Sequence, residues 1–196
     1  MSGYQALQSG IVANRLALRP GLLENRLMQL PSEQGSGTNE AVPVSNVVPV
    51  ERMAGDDDVD TAVLRQMLDE AERYLLSFCW CGSIVSAYFG GGVPKILAIF
   101  LFNIAPARPD VNEWIWTIVG DIPPAYLPLE DCESATEALQ TYINGMQRWA
   151  MLAREGRVGT PEEGVPPVNV PATPEWAEKL EIKLRVITDG VRPFFE

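Results

Sequence analysis

The chain has 196 residues, enough to bury one well-filled core with tails and short for two domains of ordinary size. Its 26 acidic residues outnumber 15 basic ones, and the resulting formal charge of −11 opposes nucleic-acid binding, which needs a Lys/Arg-rich surface to neutralise phosphates. The absence of histidine excludes imidazole bases, Ser-His-Asp and Cys-His catalysis, and nearly every catalytic zinc site.

Met1 to Leu30 carries Arg15, Arg19 and Arg26 and lacks an uninterrupted apolar core, so it does not read as a secretory signal. Its Arg-rich, acid-poor start permits an organellar presequence or a dispensable tail. Tyr4, Leu7 and Ile11 allow a short helix reaching Leu18, and Leu22 to Leu30 allow another, with Pro20-Gly21 between them. Pro31 to Asp58 is poor in aromatics, rich in Ser, Gly, Pro, Asn and Glu, and ends in three aspartates. That is linker composition, so residues 1–58 are expected to be a flexible tail and linker and residues 59–196 a single domain.

From Asp60 or Thr61 to Phe78, Leu64, Met67, Leu68, Ala71, Leu75 and Phe78 recur at three- and four-residue spacing and predict an amphipathic helix. Cys79 and Cys81 flank Trp80, and Cys132 stands alone, so there is no C-x-x-C redox or zinc-ribbon pattern. Small buried packing residues in a reducing cytoplasm fit these thiols. Ile84–Phe89 and Ile96–Ile104 predict two strands, with Gly90-Gly91-Gly92 placed in the turn of their hairpin. The same glycines, with Pro94 and Lys95, divide an apolar window that would otherwise approach membrane-spanning length. The run from Ile96 to Phe102 is apolar on both faces, which predicts a central strand covered on each side by helices or a partner.

The most informative stretch runs from Asn112 to Arg154. Trp114, Trp116 and Ile118 point one way along a strand, and Ile115, Thr117 and Val119 the other, so both faces should be covered. Gly120-Asp121 breaks the ladder, Pro123-Pro124 forbid its continuation, and Tyr126 to Leu129 can add a short edge strand. Ser134-Ala135-Thr136-Glu137 is a capping box opening a helix whose apolar face is Leu139, Tyr142, Ile143, Met146 and Trp149. Gly156 ends it, a proline-rich connection follows, and Thr173-Pro174 opens a last helix, closed by Gly190 and Pro193. The predicted class is α+β: a three- or four-stranded antiparallel sheet packed against about three amphipathic helices, behind a flexible N-terminal tail.

Candidate site residues cluster around the exit of the tryptophan strand. Asp121 sits where loops expose functional carboxylates, although an Asx-type turn is the favoured explanation for an aspartate there. Glu130, Asp131 and Glu133 form an acidic group with acid/base or cation-binding potential, but they precede a helix N-terminus, where negative charge is stabilising without further function. Tyr126, held between Pro124 and Pro128, suits an exposed aromatic anchor. Asp121, Pro123, Pro124, Tyr126, Glu130 and Asp131 are accordingly the expected partner-binding residues. No metal site or cofactor is expected, and no catalytic residue can be assigned.

From Glu113 through Gly120-Asp121-Ile122-Pro123-Pro124 to Leu127, the chain resembles a family of small uncharacterised bacterial proteins with a tryptophan strand, a Gly-Asp-Leu/Ile-Pro turn and a helix bearing a late tryptophan, here Trp149. The likeness extends more loosely from Leu64 into the last helix. It implies a bacterial, cytoplasmic origin and a compact domain, and it brings no activity. Charge and the lack of catalytic signatures point to a binding module, immunity-like or an accessory subunit, with a basic protein partner. A carboxylate- or tyrosine-dependent enzyme and a homo-oligomeric structural protein are the alternatives. Neither nucleic acid nor membrane is expected as a partner.

Overall fold

Strand periodicity and proline placement build the molecule outward from one central hairpin. In the computed structural model, described for residues 42–160, 163–166, 168 and 170–195, five strands form one antiparallel sheet. They are β1 (Val48–Pro49), β2 (Cys81–Val93), β3 (Leu97–Pro106), β4 (Trp114–Gly120) and β5 (Ala125–Pro128), adjacent in sequence order. Three α-helices complete the fold: α1 (Asp58–Leu76), α2 (Ala135–Arg154) and α3 (Pro174–Val186). The class is α+β as expected, with one strand more than the upper expectation. The helices read in Tyr4 to Leu30 lie outside the described residues.

The added strand is β1. Val48 and Pro49 pair with Phe89 and Tyr88, so the compact unit, Asn46–Glu196, takes in residues read from composition as linker. Two residues are too short for a period-2 pattern to register, and one of them is a proline, tolerated because β1 is an edge.

β3 occupies the middle of the sheet, and Leu97 to Ile104 are all buried. Its cover comes from helices of the same chain. Trp116 and Thr117 are consecutive on β4 and therefore face opposite ways. On the Trp116 side lies α2: the Trp116 indole donates to the Cys132 carbonyl at 2.8 Å, just before that helix begins. On the Thr117 side lies α1: Tyr126, the cross-strand partner of Thr117, packs against Tyr74 and Phe78. A run of eight buried positions with no polar alternation is what a doubly covered strand requires.

The triple glycine is not the hairpin turn. β2 continues through Gly90, Gly91 and Gly92, and the chain reverses at Pro94-Lys95, where the Ile96 N–H donates to the Val93 carbonyl at 3.0 Å. Close packing explains the first of these glycines, because a Cβ on Gly90 would lie 3.0 Å from both the Ala135 methyl and the Trp116 ring. The sheet can approach α2 at that point only without a side chain.

Helix ends follow the predicted chemistry. Asp57 caps α1 by accepting from the Asp60 N–H at 2.8 Å, which starts that helix slightly earlier than periodicity indicated. Ser134 accepts from the Glu137 N–H at 3.2 Å, and the Glu137 carboxylate accepts from the Glu133 N–H at 2.7 Å. Thr173 caps α3, with Pro174 in its first turn. The far end of α3 departs from expectation: Gly190 does not stop a helix but lies within a π turn, Ile187–Val191. Among the described residues no helix is long and apolar enough to cross a membrane.

Candidate functional site

The segment leaving β4 is shaped by its backbone first. Gly120 has φ +143°, and a Cβ there would meet the Ile96 carbonyl oxygen at 2.3 Å. The Asp121 N–H donates to that same carbonyl at 3.1 Å, so the β3–β4 pair closes over the turn at its end. The Asp121 carboxylate plays no part in this. It is well exposed and accepts from Lys183 of α3 at 2.6 Å, which replaces the expected Asx-type turn by a long-range ion pair. The Pro123 carbonyl then accepts from the buried Tyr142 side chain of α2, O to O 2.8 Å. Pro123 and Pro124 thus enter β5 with the backbone already fixed.

Tyr126 is half-buried, not an exposed anchor. Its ring centroid lies 5.0 Å from Phe78, 4.9 Å from Trp80 and 6.5 Å from Tyr74. Burial pushes its hydroxyl up to about 12, and burial likewise raises Tyr74 and Tyr142. The Trp80 indole N–H makes no hydrogen bond of normal geometry among the described residues, but it faces the Tyr126 oxygen closely enough to offset part of that rise. Such tyrosines stay protonated at neutral pH, which suits packing and opposes use as a base. The sequence alone points to an exposed Tyr126 because a short strand pinned between prolines reads as a sheet edge. The aromatic partners come from Tyr74 of α1 and from Phe78 and Trp80 just beyond it, distant in sequence.

Beyond β5, Glu130 and Asp131 occupy a single 3-10 turn, Leu129–Asp131, and both are exposed. Neither makes an ion pair or side-chain hydrogen bond among the described residues. The four extended residues of β5 hold them about 13 Å or more from Asp121, at about 3.3 Å per residue. These carboxylates therefore do not converge. Among the described residues no group of three or more Cys, Asp or Glu is placed to hold a metal ion. Cys132 is buried, with its Sγ 3.4 Å from Thr141 Oγ1; burial raises its thiol, so it is a packing residue and not a nucleophile. Of the flanking pair, Cys81 is buried as expected but Cys79 is exposed.

A second region was not visible in the sequence. Gln147 of α2, Glu181, Leu184 and Arg185 of α3, and Thr188 and Asp189 of the π turn line a groove of about 330 Å³. Arg154 of α2 grips Glu181 at one end through two N–H donors, the longer contact being Nε to Oε1 at 2.8 Å. No motif marks the place, because a π turn has no composition of its own and the groove joins two helices far apart in sequence.

These described residues define an α+β protein with helices on both faces of an antiparallel sheet. Comparison with known protein families, with curated proteins and with solved structures finds no match.

Proposed function

We propose that this protein is a small acidic binding module of the bacterial cytoplasm, immunity-like or an accessory subunit, that recognises a basic protein partner. The observation that carries the reading is the pair Glu130 and Asp131: exposed, without ion-pair or side-chain hydrogen-bond partners among the described residues, and carried on the turn that follows a strand fixed at both ends by proline. Arg15, Arg19 and Arg26 are balanced by Glu24, Glu33 and Glu40, so the whole excess of −11 resides after Ala41. A field of that sign steers a basic partner and penalises an acidic one. Asp121 extends the acidic edge with a charge shared with Lys183. Pro123, Pro124 and Tyr126 serve by holding β5 in place.

The prolines also bear on how a partner is met. A bare sheet edge invites recognition by strand addition, but β5 is only four residues long, Pro128 removes a donor from it and Pro123-Pro124 stop its extension at the other end. Recognition is then left to side-chain charge. An enzyme using Asp121, Glu130 and Asp131 together is disfavoured by their separation, and the apolar faces of β3 that suggested oligomerisation are covered by α1 and α2.

The test is capture of a partner from the native host on immobilised protein across a salt series, with Glu130→Gln/Asp131→Asn as the control bait. The reading expects a basic protein whose recovery falls with salt and is weakened about tenfold by the double substitution, the scale of losing one or two charge-assisted contacts. Absence of any captured protein, or equal recovery by both baits, counts against it.

A further inference from the structure

Arg185 and Asp189 stand four residues apart, the spacing at which an α-helix brings opposite charges together. No ion pair forms between them, and neither has an ion-pair partner among the described residues. A π turn intervenes: from Ile187 the backbone bonds run to the fifth residue instead of the fourth, so the regular α-helical spacing does not hold across this pair. Both charges line the groove without meeting, together with the buried Leu184 and Gln147 of α2. Glu181 does not quench Arg185 at contact distance, because Arg154 already holds both of its oxygens. Turns of this kind recur at functional sites, and about 330 Å³ lies at the small end of ligand pockets.

We propose that this groove between α2 and α3 binds a free α-amino acid, with Arg185 taking its carboxylate, Asp189 its ammonium group and Leu184 supporting its side chain. A uniformly charged ligand fits poorly, since either charge of the wall would repel it. The Thr188 hydroxyl, also part of the lining, donates to the Leu184 carbonyl at 2.8 Å and so has its lone pairs left to accept from the ammonium group. This site is independent of the acidic edge at β5.

The experiment is an NMR titration of the full chain with each free α-amino acid, with acetate and methylamine as half-ligands. At millimolar concentration at least one amino acid should shift the amides of Gln147, Arg185 and Asp189, and the half-ligands should bind at least about tenfold more weakly, each forming only one of the two charged contacts. Arg185→Gln and Asp189→Asn should each weaken binding by about tenfold while leaving the remaining spectrum unchanged, because both side chains are exposed. Lack of shifts with every amino acid overturns the proposal. So does binding that both variants retain, or half-ligands that bind as well as the whole.

Discussion

In β4 the side chains from Ile115 to Val119 are buried on both faces, and the Trp116 indole is tied to the Cys132 carbonyl. A few residues later, past β5, Glu130 and Asp131 are exposed, and their carboxylates have no partner among the described residues. The first region carries stability and has little freedom to vary. The second adds charge to a backbone that β5 and the α2 cap already fix. A protein that must be both rigid and selective can divide the work this way, because changes in the exposed acids leave the packed strands untouched.

The sharpest break in that comparison comes from Trp116→Ala, which removes a fully buried ring and its hydrogen bond. It should lower unfolding free energy by about 3–5 kcal/mol in urea titrations. A loss under about 1 kcal/mol would show that β4 is not the stabilising centre.

Alkaline pH gives the next largest effect. An unfolded tyrosine ionises near 10, whereas the folded Tyr126 holds its proton to about 12. Between those values the unfolded state has fewer bound protons, so stability is complete below about 10 and declines as pH rises toward about 12, by up to about 2 kcal/mol. Thermal melts across that window should show the decline, and Tyr126→Phe should flatten part of it.

Thr117 offers a smaller change of opposite sign. Its hydroxyl is fully buried without a partner among the described residues, so Thr117→Val should preserve or raise the midpoint of unfolding, by about 1 kcal/mol. A marked loss would reveal a hydrogen-bonded group beside it. Smallest of all, Asp121→Ala breaks an exposed ion pair with Lys183 and should alter stability by less than about 1 kcal/mol. A large loss would mean that the carboxylate holds the turn after all.

Much of this fold is legible in the residues, for reasons that also mark where legibility ends. The doubly apolar run of β3, the alternation of β4 and the caps Ser134 and Thr173 are local signals, and each appears where periodicity or capping chemistry puts it. β1 is too short to show a period. The triple glycine resembles a turn until Ala135 and Trp116 are seen to press on Gly90. Tyr126 belongs to an aromatic group assembled from Tyr74 of α1, Phe78 and Trp80, and Asp121 meets a lysine on α3, so their surroundings depend on tertiary contacts that no local pattern encodes. The π turn after α3 hides for the same reason, since Thr188-Asp189-Gly190 reads as an ordinary helix end.

The division between packed sheet and open acids is tested most directly by Glu130→Gln/Asp131→Asn, assayed for thermal midpoint and for salt-dependent capture of a basic partner on one preparation. The account expects an unchanged midpoint together with about tenfold weaker capture. A lowered midpoint with capture intact would contradict it, because the acids would then belong to the scaffold and not to recognition.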